Sequence, residues 1–189
     1  MVINEKALVS RMKEAYKTYG YTVAVDQDWM YLSNGFWMAG IDVDNVPGEI
    51  LGMFGEHIRD IPKNGDAYKV TKAKDGPIVQ QRILEDALKP VKTMYAERDE
   101  AYADIRLVMM RRTNLTYEGI QVWQAAPGQD VFLIDPRYAA MISDPKGVCR
   151  AGNGIYIGDE ISSLWILRVM KPEDDAYLTH LEKIAWAVE

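Results

Sequence analysis

The chain has 189 residues, 48% apolar and 26% charged, with a net charge of −6. That length suits one large domain or two small ones with a sizeable core. The charge argues against a general nucleic-acid binder, which presents a basic face, and the absence of any apolar run of ~18 residues excludes a transmembrane helix. A single cysteine, Cys149, excludes an internal disulfide framework and agrees with a reducing cytoplasm. Met1 to Lys6 lacks a signal-peptide core, so a cytoplasmic protein is expected.

Residues 4–19 read as an amphipathic helix, with Leu8, Met12, Ala15, Tyr16 and Tyr19 on one stripe, Asn4 as N-cap and Gly20 past the end. Tyr21 to Val25 read as a strand. "WMYLSNGFWMAG" (29–40) then places Asn34-Gly35 between two apolar runs, the strongest short hairpin signal. A two-residue Asn-Gly loop sets Ser33 opposite Phe36, Leu32 opposite Trp37, Tyr31 opposite Met38 and Met30 opposite Ala39. One face then carries Met30, Leu32, Trp37, Ala39 and Ile41, and the other Trp29, Tyr31, Phe36 and Met38.

Both hairpin faces are apolar, against the usual in-out alternation of an antiparallel sheet. Two structures produce this: a sheet covered on both faces, or a sheet with one face open to a partner. Three aromatics at about 150–250 Å² each would leave roughly 450–750 Å² open, at or above the largest patch of an ordinary monomer. From Thr18 to Ile58 there is no Lys or Arg, while Asp26, Asp28, Asp42, Asp44, Glu49 and Glu56 fall there. The first four lie at the hairpin end away from the turn.

Asp44 or Asn45 could cap the next helix, with Pro47 in its first turn and Ile50, Leu51, Phe54 and Ile58 inward as far as about Arg59. Residues 61–77 are polar and turn-rich, with Tyr68 to Thr71 a short edge strand. Ile78 to Leu88 read as a helix that Pro90 ends or kinks. Strands follow at Ile105 to Arg111, Ile120 to Gln124 and Val131 to Asp135. The residues from Pro136 to Ile142 read as a short helix behind Asp135. Ile155 to Ile157 and Leu164 to Met170 read as strands, and Glu173 to Val188 as a terminal helix with an acidic start.

The pattern is that of an α+β protein, a mainly antiparallel sheet with flanking helices. It forms either one unit or two sub-domains, 1–60 and 78–189, joined by a polar linker or edge strand over 61–77.

Few residues carry a chemical signature. Asp42-x-Asp44 resembles the start of a calcium loop, but Pro47 and Met53 stand where the template needs Gly and Glu. A magnesium site needs only one or two carboxylates, so a metal-dependent phosphodiester hydrolase is one alternative. Cys149 with His57 or His180 matches no nucleophile signature, and two histidines with one cysteine make no standard zinc site. "AGNGIYIG" (151–158) reads as a hairpin turn rather than a phosphate cradle. Arg111-Arg112 and Lys69, Lys72 and Lys74 read as solvated faces. No cofactor is expected.

The order of the first helix, "WMYLSNGFWM", the helix from Val46-Pro47, "DVFLIDPRYAAMI" and "SLWILRVMKP" resembles small accessory proteins of phages and mobile elements of gut Firmicutes. Among them it resembles an anti-CRISPR type that blocks a Cas nuclease by binding it. The resemblance implies a non-enzymatic inhibitor and carries over no residue. The later half also resembles a sliding-clamp domain, without the basic stripe with which clamps line their DNA side. The expected function is therefore binding of a protein with a basic surface, with no direct contact to nucleic acid or membrane. The contact surface is expected at Trp29, Tyr31, Phe36 and Met38, beside Asp26, Asp28, Asp42 and Asp44. A self-associating accessory protein, with the hairpin face closed by a two-fold partner, is the other alternative.

Overall fold

A computed structural model describes residues 1–103, 109–125 and 131–169. In chain order the elements are α1 (Glu5–Lys17), β1 (Tyr21–Asp26), β2 (Trp29–Ser33), β3 (Trp37–Asp42), a 3-10 turn (Val43–Asn45) and α2 (Gly48–His57). Then come β4 (Ala67–Ala73), β5 (Gly76–Gln81), α3 (Leu84–Ala103), β6 (Arg111–Tyr117), β7 (Ile120–Gln124) and β8 (Val131–Ile134). The last are α4 (Pro136–Ala139), β9 (Cys149–Ala151), β10 (Gly154–Gly158) and β11 (Ser162–Leu167).

The fold is α+β. Eight strands form one antiparallel sheet in the order β5-β4-β1-β2-β3-β11-β10-β9, and β6-β7-β8 form a smaller one. The large sheet is joined where β3 pairs β11, so strands from 1–60 and from 78–189 share it. Residues 67–73 lie inside the sheet between β1 and β5, so the boundary expected at 61–77 falls within it. Among the described residues no helix is long and apolar enough to cross a membrane.

Period-two alternation sorts the large sheet's side chains. Val23, Met30, Leu32, Trp37, Ala39, Ile41, Leu164 and Ile166 point into the main core. There they meet Leu8, Met12 and Ala15 of α1, Ile50 and Phe54 of α2, and Trp123 and Phe132 of the small sheet. Ala24, Met38, Tyr156 and Trp165 point the other way, against Leu88 and Val91 of α3. Helices thus cover both faces, which is why both hairpin faces are apolar.

The hairpin register differs from the Asn-Gly expectation by two residues. Ser33 pairs with Met38, Leu32 with Ala39, Tyr31 with Gly40 and Met30 with Ile41. The loop is Gly35-Phe36, and only Gly35 takes a positive φ, +91°. Asn34 instead accepts the Phe36 and Trp37 N–H groups through Oδ1 at 3.0 and 3.3 Å, an Asx turn. An even shift preserves the faces, so the side-chain sorting is unchanged.

Other boundaries moved. Pro47 precedes α2 as its N-cap without a side-chain cap, and Asp42 caps the 3-10 turn before it. Residues 78–81, expected as the start of a helix over 78–88, belong to the edge strand β5, and α3 begins at Leu84 and runs through Pro90 to Ala103. The first strand of the later half, expected to end at Arg111, has its described part β6 beginning there. Asp135 caps α4 as expected, accepting the Arg137 N–H at 2.8 Å. Ala151 pairs with Gly154, which makes 151–158 a hairpin. The strand over 105–108, the 126–130 connection, Met170 and the terminal helix lie outside the described residues.

Candidate functional site

Asp26 closes β1 and Asp42 closes β3. Both pair with Trp29 at the start of β2, so the three side chains form one row across three strands, on the α3 face. Trp29 is half-buried and stacks on Tyr31, with ring centres 6.4 Å apart and planes 20° apart. Asp28 lies exposed in the β1–β2 connection and Asp44 in the 3-10 turn. The two connections are tied where the Val43 N–H donates to the Asp28 carbonyl at 2.9 Å. All four aspartates therefore gather at the hairpin end away from Gly35. Among the described residues none of them forms an ion pair.

The β-strand pairing brings a further segment to this end. The Gln27 N–H donates to Asn64 Oδ1 at 2.8 Å, and the Gly65 N–H to the Val25 carbonyl at 2.9 Å. The 60–66 loop adds Asp60 and Asp66, together with one cation, Lys63. Sequence reasoning missed this contribution because the loop lies more than thirty residues beyond β1, and only the β1–β4 pairing carries it back.

The four apolar residues expected in the contact surface do not stay together. Met38 is 3% exposed under α3 and belongs to the core. Tyr31 lies over Gly40, where a Cβ would fall 3.1 Å from its ring and 2.7 Å from Ser163 Oγ. Burial pushes the Tyr31 hydroxyl well above the ordinary phenol range, with Tyr95 and Asp26 adding to the shift. Phe36 is 46% exposed at the opposite end of the hairpin, stacked on Tyr138 and edge-on to Tyr19. Only Trp29 and the half-buried rim of Tyr31 share a surface with the aspartates.

Next to that rim α3 supplies residues that no pattern along the chain singled out. The Tyr95 ring meets Trp165 at right angles, 4.8 Å between centres, and Tyr156 packs on the same indole at 4.5 Å. The Arg98 guanidinium lies 4.6 Å over Tyr95.

Catalytic readings find little here. Among the described residues no group of three or more His, Cys, Asp or Glu side chains could hold a metal ion. Asp42 Oδ1 is already engaged by the Asp44 N–H and Asn45 Nδ2, each at 3.0 Å. Cys149 is buried in β9. His57 stacks on Tyr16 at 3.9 Å and shares a hydrogen bond with Tyr21 Oη at 3.0 Å, which gives it a packing role. His180 lies outside the described residues.

No protein-family model and no curated protein matches this sequence. Among solved structures, the chain is similar to proteins described as DNA polymerase III beta subunits. One from Eubacterium rectale is 12% identical over 87% of this chain and 63% of that one, with a TM-score of 0.38. One from Pseudomonas aeruginosa is 9% identical over 93% and 66%, with a TM-score of 0.38. One from Thermotoga maritima is 11% identical over 92% and 64%, with a TM-score of 0.36. The chain spans somewhat less than two thirds of the length of each.

Proposed function

We propose that this chain is a non-enzymatic binding protein that docks a partner with a basic surface at the Trp29 end of the sheet. The observation that supports this is the gathering of Asp26, Asp28, Asp42 and Asp44, unpaired among the described residues, around a half-buried indole. Unpaired like charges at one end repel each other and raise the negative potential there. A cationic partner relieves that repulsion and is steered in from solution. An aromatic anchor rimmed by charge is a common arrangement of binding energy. A nuclease complex, with its basic nucleic-acid channel, is the partner that the anti-CRISPR resemblance implies.

Capture from a bacterial lysate tests the reading. The wild-type chain is expected to retain a partner at low salt and to release it at high salt, where the Debye length shrinks to about 3 Å near 1 M. The variant carrying Asp→Asn at 26, 28, 42 and 44 is expected to retain none. Retention that ignores both salt and the four substitutions would refute it.

A second reading has one observation in its favour. Strand β5 is an open sheet edge with Ile78 55% and Val79 38% exposed. Such an edge supports self-association by strand pairing, although Pro77 removes one donor from it. Light scattering on the purified chain separates monomer from dimer.

A further inference from the structure

A cleft of about 930 Å³ opens far in sequence from the aspartates, between residues 109–114 and the 145–147 turn. Its wall combines Met109 and Pro145 with Arg111, Arg112 and Lys146 over the buried Met110, and no carboxylate is among the described residues that line it. Among the described residues none of these three cations forms an ion pair. In a chain of net charge −6, the cleft brings three cations to one apolar hollow.

The hollow is built by a break in the small sheet. The β6–β7 ladder loses register between Arg112 and Thr116. The carbonyls freed by the break are taken by one side chain, Gln121 Nε2, which donates to Thr113 at 2.8 Å and to Leu115 at 3.0 Å. Thr113 Oγ1, itself buried, donates to the Val122 carbonyl at 3.0 Å. These bonds hold the bulge, and the Arg111 to Asn114 segment runs along the cleft. Bulges of this kind re-aim side chains beside functional sites.

We propose that this cleft binds an amphiphilic anion, a phosphate or carboxylate head carried on an aliphatic body. Arg111 and Arg112 are successive residues of β6 and leave the strand on opposite sides, so one fork takes the paired oxygens of either head group while the other adds positive charge nearby, and Lys146 adds a point charge from the 145–147 turn. Met109, 40% exposed, and Pro145 take the aliphatic part, methionine adapting to irregular shapes. Nucleic acid fits less well, because base binding uses aromatic platforms and no aromatic side chain is among the described residues that line the cleft. This site is independent of the Trp29 end, and either can fail without the other.

The test is titration of the full chain with octyl phosphate kept below its micelle concentration, followed calorimetrically. Inorganic phosphate, octyl glucoside and a single-stranded oligonucleotide serve as comparison ligands. Saturable binding of one octyl phosphate is expected, with inorganic phosphate and octyl glucoside each weaker by about tenfold or more, that is ~1.4 kcal/mol. The Arg111→Gln, Arg112→Gln, Lys146→Gln triple variant is expected to lose octyl phosphate by at least the same factor. All three positions are exposed, so its melting temperature is expected to stay at the wild-type value, and Lys146→Gln alone gives a smaller loss in the same direction. Vesicles containing phosphatidylglycerol distinguish the source. Co-sedimentation that the triple variant abolishes assigns a lipid head group, and its absence assigns a free small molecule. Equal affinity in the triple variant, glucoside binding as tight as phosphate ester, no saturable binding, or preference for the oligonucleotide would each overturn the proposal.

Discussion

Tyr31 and Gly40 show how a single missing methyl shapes the site. Tyr31 covers the glycine opposite it, and a Cβ there would press on both the ring and Ser163 Oγ, at 3.1 and 2.7 Å. Gly40→Ala is therefore expected to lower stability by about 1–3 kcal/mol through overpacking. The displaced ring should also shift the tryptophan emission, through the Trp29–Tyr31 stack. A denaturant titration read by fluorescence checks both effects.

His57 gives a second prediction at this scale. Burial lowers its pKa from the ordinary 6.5, against a weaker opposing pull from Glu56. Below that ordinary value the unfolded chain takes up the proton before the folded one, so protonation favours unfolding. The contribution of His57 is fully present above pH 6.5 and falls as the pH drops from there toward the folded value. Comparing melting temperature against pH for wild type and His57→Phe should show this loss in the wild type alone.

The hairpin separates what was legible in the sequence from what was not. Alternation of apolar residues told which side chains share a face, because that depends only on parity. It could not tell the register, because Asn34 had two ways to make the turn: taking a positive φ itself, or accepting backbone N–H groups through its side chain. The second is what occurs. Nor could it tell which aromatics stay at the surface, since that depends on where α3 lies, and α3 was hidden by a misread segment. Ile78 looked like the start of a helix, but Ile78 and Val79 follow Pro77 on an edge strand. Pro90 looked like a stop, yet it sits exposed in the second turn of α3, and the helix continues beyond it. Restoring the N–H that proline lacks, in Pro90→Ala, is expected to stabilise the chain by about 1–3 kcal/mol, measurable by denaturant melts. At the sheet edge, Ile78→Thr is expected to change stability by less than about 0.5 kcal/mol, since the side chain is already in water. It should reduce aggregation on heating.

Among the described residues, two regions of opposite charge lie in different parts of the fold. The Trp29 end of the large sheet gathers aspartates, and the cleft beside the small sheet gathers cations. The acidic gathering was visible in the sequence as a cation-free stretch over 18–58, because neighbouring strands of a meander bring their ends together. The basic cleft was not visible, because its two walls are more than thirty residues apart and only the fold joins them. The split between Trp29 and Phe36, at opposite ends of one hairpin, gives the docking reading its sharpest consequence. The measurement that tests it most directly is a calorimetric titration of the captured partner against Trp29→Ala and Phe36→Ala, with melting temperatures taken alongside. Docking at the acidic end predicts that Trp29→Ala weakens binding by about 2 kcal/mol or more, the scale of an interface hot spot, while Phe36→Ala leaves it unchanged. Binding that survives Trp29→Ala and is lost with Phe36→Ala would place the partner at the other end of the hairpin and contradict the reading.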